Sequence, residues 1–161
     1  MSNEEDRAYR RALGGFATGV AIVTVGDVAS GFSAITINSF ASVSLTPRLV
    51  VWSLGCESDR YDAFARAQGF GISVLSAAQI DLAKRFSQQN VSAIEPGLIE
   101  MWERAPVLRA GASRLACRVA ESRIVGDHLM LFGEVAAFAS DDTAAPLLYF
   151  RGGYRTIGGD A

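Results

Sequence analysis

The segment GFSAITINSFASVSLTPRLV, residues 31–50, decides how the rest of the chain is read. It sets Thr36, Asn38, Ser39, Ser42, Ser44 and Thr46 among apolar residues, with Arg48 its sole charge. A half-exposed strand alternates apolar and solvated polar residues, and a fully buried one is apolar throughout. This run starts as a strand over residues 32–38 and then becomes an extended ribbon of hydroxyls with small residues between them. Small residues let a ligand approach the backbone, and hydroxyl and backbone N–H donors suit a phosphate without a cation at every contact. The alternative is a β-rich segment whose Ser and Thr side chains face water, since Thr is a good strand former. The pattern alone leaves both open.

On either side lie more short strands. VAIVTV at residues 20–25 is a β-branched run, residues 26–31 turn the chain, and LVVWSL at residues 49–54 follows Pro47. Strands at such intervals, with no long helices between them, predict a mainly β fold with peripheral helices, an antiparallel sheet or barrel. Upstream, Ser2 or Asn3 caps a helix with Glu4, Glu5 and Asp6 in its first turn. Tyr9, Leu13 and Phe16 follow at helical spacing, and Gly14 and Gly15 end it.

Downstream, residues 55–59 form a loop, and Asp59 is expected to cap a helix over 60–68 that carries Tyr61 and Phe64. A strand over 70–75 precedes a capping box of Ser76 and Gln79, which opens a helix to about Gln88 with Ile80, Ala83 and Phe86 on one face. Residues 90–111, with Pro96, Trp102 and Pro106, read as an irregular excursion, a candidate lid with a short helical piece at 98–104. Strands over 114–125 and 128–139 flank Gly126-Asp127 as a two-residue hairpin turn. Asp141-Asp142 turns the chain again, and residues 147–150 and 154–157 are short final strands. No repeat, linker or boundary is visible, so residues 1–161 are expected to form a single domain.

The 161 residues suffice for one domain with a substantial core, and half of them are hydrophobic. Charged residues are sparse for a globular chain at 20%, which fits surface covered by another subunit. A formal net charge of −2 argues against nucleic acid as the main partner. No apolar run approaches bilayer length, and the N-terminal residues lack an apolar signal core, so no membrane partner and a cytoplasmic location are expected. Two cysteines, Cys56 and Cys117, are too few for a disulfide framework. G-x-G-x-x-G, the P-loop and G-x-S-x-G are all absent. The lone His128 lacks the spacing of a zinc site, and no metal is expected.

The run T-x-N-S-F-x-S-V-S-L-x-P, at residues 36–47, resembles the signature of the short-chain flavin reductases. The resemblance extends through F-A-T-G-V-A-I-V-T at 16–24, V-L-S-A-A-Q at 74–79, L-A-K-R-F at 82–86, G-D-H at 126–128, G-E-V at 133–135 and P-L-L-Y-F-R-G-G-Y at 146–154. It implies an FMN-binding split β-barrel, a first helix packed on that barrel, and a homodimer. It implies an NAD(P)H:flavin oxidoreductase that passes hydride from NADH or NADPH to FMN or FAD and supplies reduced flavin to a flavin-dependent monooxygenase. The alternative is a split-barrel electron-transfer protein that keeps FMN tightly and has no nicotinamide activity of its own. A flavin-free relative that binds another group such as haem is a third option.

Within that resemblance, His128 is the candidate catalytic residue, placed to position the reduced nicotinamide rather than to transfer a proton. The flavin would lie along Thr36, Asn38, Ser39, Phe40, Ser42, Val43 and Ser44, with the phosphate held there and by Arg85. Cys56 and Ser58 would lie beside it, Phe86 would belong to the core or the flavin edge, and Tyr154 would stack near the nicotinamide. The Asp59-Arg60 pair departs from the small hydroxyl residues usual in that loop. Lys84 reads as a solvated residue and Cys117 as core.

Overall fold

The computed structural model describes residues 4–158. The caps expected at Ser2 and Asn3 lie outside these residues. In chain order the elements are α1 (Glu4–Leu13), β1 (Thr18–Gly19), β2 (Ala21–Asp27), β3 (Gly31–Ile37), β4 (Ala41–Leu45) and β5 (Arg48–Gly55). Then come α2 (Tyr61–Ala65), β6 (Gly69–Val74), α3 (Ile80–Phe86), β7 (Ala93–Ile94), β8 (Ile99–Trp102) and β9 (Ala105–Leu108). The chain closes with β10 (Ser113–Val125), β11 (His128–Ser140), β12 (Leu148–Phe150) and β13 (Gly153–Arg155). Eight strands pair in the order β4-β5-β11-β10-β6-β2-β3-β7, with β1-β12-β13 and β8-β9 as separate small sheets. The large sheet does not close on itself, as a split barrel requires.

β2 is buried on both faces because its residues serve two cores. Ala21, Val23 and Val25 join Val50, Trp52, Leu54, Phe64, Phe70 and Ile72 on one side. Ile22 meets Phe32, Ala34, Leu75, Ala83 and Phe86 on the other, beneath α3. Trp52 is fully buried, edge-on to Phe64 at 5.4 Å and to Phe70 at 5.9 Å. Burying such rings contributes several kcal/mol by area and a further ~0.5–1.5 kcal/mol per ring pair. Cys117 lies in this core, where burial pushes its thiol up to about 12.

The excursion after residue 90 is more ordered than its composition suggests. The piece expected to be helical at 98–104 is a β-hairpin of β8 and β9, and β9 is buried throughout. It is therefore part of the core rather than a lid. Thr24 donates its hydroxyl to the Pro106 carbonyl at 2.5 Å, and Leu108 donates its N–H to the Ser73 hydroxyl at 3.0 Å. β9 crosses so close to the sheet that a Cβ at Gly71 would overlap the Pro106 carbonyl. Two buried hydroxyls and one glycine thus replace a strand ladder, which a search for helical periodicity does not detect.

Three helical expectations change. The helix after Gly55 runs only from Tyr61 to Ala65 and has no side-chain cap; Asp59 instead accepts the N–H of Asn90 at 2.5 Å. The capping box of Ser76 and Gln79 is present, but it opens a 3-10 turn that continues as α3 and ends at Phe86. α1 buries no residue of its own, and Tyr9, Leu13 and Phe16 are 64%, 57% and 80% exposed. None of the residues of the helix expected to pack on the barrel is buried by the described chain. The turn at Gly126-Asp127 is as expected, with Gly126 at φ +61° and Val125 opposite His128.

Thr24→Val should destabilise the fold by about 1–3 kcal/mol, because it leaves the buried Pro106 carbonyl without a donor. Urea denaturation measures this, and an unchanged midpoint would mean that the bond does not hold β9 in place.

Candidate active site

β5 and β11 pair in a register that sets Gly55 opposite His128. At this end of the ladder the chain leaves β5 as the loop Cys56–Arg60, and Cys56 donates its N–H to the Asp127 carbonyl at 2.9 Å. Gly55, Cys56, Glu57, Ser58, Asp59, Arg60, Gln89, Asn90, Asp127 and His128 enclose a cleft of about 690 Å³. His128 is half-exposed, with Nδ1 2.7 Å from Asp127 Oδ1. That hydrogen bond holds the Asp127 carboxyl below its ordinary range, so Asp127 is ionised at neutral pH.

Arg60 builds the far wall. It is 6% exposed, donates Nη2 to the carbonyls of Gln88 and Val91, and lies 3.5 Å from Asp59. Its Nε is buried without a partner. Arg60 and Asp59 together hold residues 88–91 in a tight turn, with Asn90 in the left-handed region at φ +60°. This cation is consumed inside the protein, so the cleft itself presents Glu57, Asp59 and Asp127.

A second cleft of about 350 Å³ draws on the same short segment, which contributes Ser87 here and Gln89 and Asn90 to the first. Thr36, Asn38, Tyr149, Gly152 and Tyr154 line it with Ser87. The Tyr149 and Tyr154 rings meet edge-on at 5.5 Å, across the β12–β13 register. Thr36 donates its hydroxyl to the Ala83 carbonyl at 2.8 Å, which ties β3 to α3.

The structure thus brings His128, Cys56 and Ser58 together in one cleft, and Thr36, Asn38 and Tyr154 in the other. The remaining expected residues are dispersed. Ser39 bridges the backbone of Ser53, donating to its carbonyl at 3.2 Å and accepting its N–H at 3.1 Å. Phe40, Ser42 and Ser44 line an apolar groove of about 420 Å³ with Leu115, Val135 and Phe138. Val43 is exposed at a bulge between Ser42 and Ser44. Arg85 is committed to both carboxylate oxygens of Glu95 at 2.9 Å and lies over the Phe86 ring at 4.7 Å. Phe86 itself is wholly buried in the core, which removes it from any ligand edge.

Sequence reasoning does not pick out Asp127, Gln89, Asn90 and Tyr149 as lining residues, although Asp127 stands inside the G-D-H run and Tyr149 inside P-L-L-Y-F-R-G-G-Y. It marks Arg60 only as a departure from the family pattern, because the partners that define its role lie about thirty positions away.

Residues 13–158 match the flavin reductase like domain. The chain belongs to that family. It is 40% identical to the FMN reductase (NADH) SmoA of Agrobacterium fabrum over 94% of this chain and 86% of that one. Its fold superposes with a TM-score of 0.87 on the NADH:FAD oxidoreductase of Streptomyces globisporus in complex with NAD and FAD fragments, at 30% identity over 100% and 98% of the two chains. The styrene monooxygenase flavin reductase of Pseudomonas putida S12 gives 0.84 at 26% identity over 95% and 99%. Across eight curated relatives the chain spans from 48% to 91% of their length. Among the described residues no helix is long and apolar enough to cross a membrane.

Two outcomes follow from the ion pairs. Arg60→Met should lower stability by about 1.5–3 kcal/mol, since it strips charged donors from the Gln88 and Val91 carbonyls; equal denaturation midpoints would show that the turn stands without it. Arg85 lowers the pKa of Glu95 below its ordinary 4.5. A depressed carboxylate stabilises the fold above its unfolded pKa and loses that contribution as pH falls through the lower folded value. Glu95→Gln should therefore melt below wild type at pH 7, by a margin that shrinks as pH falls below 4.5, and a difference that stays constant as the solution is acidified would count against the pair.

Proposed function

We propose that this protein is a flavin reductase that passes hydride from NADH to FMN or FAD and releases reduced flavin to a partner monooxygenase. The observation that carries this is the pair of clefts that share residues 87–90 in their linings. One has a lone imidazole opposite a glycine, and the other has small polar residues and two tyrosine rings. Membership in the flavin reductase like family and the NADH-dependent relatives support it. The styrene monooxygenase reductase supports the partner.

The residues fit a flavin. Thr36, Asn38 and Tyr154 offer hydrogen bonds and a ring edge where the family signature runs, and no dinucleotide-binding domain is needed. When bound, the flavin supplies the hydride acceptor, and the chain supplies proximity and orientation. His128 holds the nicotinamide end of NADH against Gly55. Cys56 and Ser58 form the adjoining wall, and the Asp59–Arg60 brace keeps that wall in place. Ser39 and Ser44 spend hydrogen bonds on the backbone of Ser53 and Thr46, so they shape the ribbon while Asn38 and Ser42 remain for ligand. Arg85 serves a flavin phosphate only by leaving Glu95, so the flavin is held moderately and exchanges. The NADH-dependent relatives favour NADH over NADPH as the donor.

Residues 1–161 act as one domain in a cytoplasmic homodimer. Exposed Tyr9 and Leu13 on α1, Phe16 just after it, and exposed Leu45 and Phe138 in the apolar groove supply the surface for the second copy.

Anaerobic stopped-flow absorbance at the oxidised flavin band tests the activity. Rapid bleaching is expected with NADH and FMN or FAD, at least tenfold slower with NADPH, and about tenfold or more slower in His128→Ala. No bleaching with bound flavin and either nucleotide would overturn the reductase assignment and leave an electron-transfer protein. Light scattering should give twice the chain mass, falling to one chain in Leu13→Glu; a wild-type monomer would remove the dimer.

A further inference from the structure

We propose that Asp127 is a positioning residue that fixes the tautomer of His128, so that Nε2 faces the cleft as a hydrogen-bond acceptor for the carboxamide –NH2 of the reduced nicotinamide. This rests on the assignment of the His128 cleft to NADH and specifies which atoms recognise it.

An ionised carboxylate only accepts hydrogen bonds. Asp127 Oδ1 lies 2.7 Å from His128 Nδ1, and that bond holds the Asp127 carboxyl below its ordinary range. The proton of a neutral imidazole therefore resides on Nδ1, and Nε2 carries the lone pair. Nε2 lies on the side of the ring toward Gly55. Gly55 is its cross-strand neighbour, and even a Cβ there would stand 4.0 Å from Nε2. The hairpin turn fixes Asp127 in turn, because its carbonyl accepts the N–H of Cys56 at 2.9 Å.

The other charged groups of the cleft agree with an acceptor role. Glu57 and Asp59 stand on the opposing loop, and the Arg60 guanidinium is spent on Asp59 and on the carbonyls of Gln88 and Val91. The carboxylates share the cleft with the amides of Gln89 and Asn90 and the Ser58 hydroxyl, and next to His128 Nε2 the matching chemistry is an N–H donor. A carboxamide has one, whereas an acetyl or carboxylate substituent does not. A site built to receive a donor discriminates against an analogue that lacks it, because its own polar group is then left unpaired.

The 3-acetylpyridine analogue of NADH keeps the ring and the carbonyl but replaces –NH2 by –CH3. The test compares kcat/KM for NADH with kcat/KM for this analogue, both at saturating flavin. Any difference in their intrinsic reactivity is common to all variants and cancels. Asp127→Asn is nearly isosteric, but its –NH2 can donate to Nδ1 and move the proton to Nε2. The preference for NADH is expected to fall about tenfold in Asp127→Asn and in His128→Ala, while flavin Kd and melting temperature stay within error of wild type. A preference unchanged in Asp127→Asn but collapsed in His128→Ala would overturn the role of Asp127 and keep the cleft for nicotinamide. A preference unchanged in both would overturn the cleft assignment as well. Equal loss of activity toward both nucleotides in Asp127→Asn, with the preference intact, would mean that Asp127 shapes the turn alone.

Discussion

The wholly buried Trp52 ring, edge-on to Phe64 and Phe70, is the contact on which the site's geometry depends. It joins three elements that are distant in sequence: β5, α2 and β6. Because Trp52 fixes the middle of β5, Gly55 leaves the ladder opposite His128. Because Phe64 anchors α2 from below, the loop between Gly55 and Tyr61 has only five residues in which to span a fixed gap. That short span brings Arg60 to 6% exposure, where only backbone carbonyls and Asp59 can satisfy its guanidinium.

The order of strands was legible in the sequence because the β-branched runs around Val23, Ile35 and Val51 and the turn at Gly126 are local signals. The hairpin of β8 and β9 was not. Its prolines and its short length suppress period-two alternation, and it is held by Thr24 and Ser73, which are far away in sequence. The first helix shows the converse. Its boundaries follow from Glu4, Glu5, Asp6 and Gly14, but nothing in its own sequence says that Tyr9 and Leu13 stay exposed.

The site was half legible for a similar reason. His128, Cys56, Ser58, Thr36, Asn38 and Tyr154 were each placed near a cleft, because residue type and family signature coincide there. Arg85 matched on type, yet Glu95, ten positions on, takes both sides of its fork. Phe86 matched on position, yet helical geometry turns it into the core with Ala83. Hydroxyls such as Ser39 suit an anion and the protein backbone equally, and only the fold decides between them.

The two walls of the His128 cleft differ in mechanical character. Gly55 and His128 form the end pair of a ladder of seven consecutive residue pairs between β5 and β11. They cannot separate without breaking the sheet. The opposite wall, residues 56–60 and 88–91, is joined mainly through the side chains of Asp59 and Arg60. The two walls therefore yield unequally: the imidazole is held by a whole ladder, and the wall that faces it by one arginine-held turn.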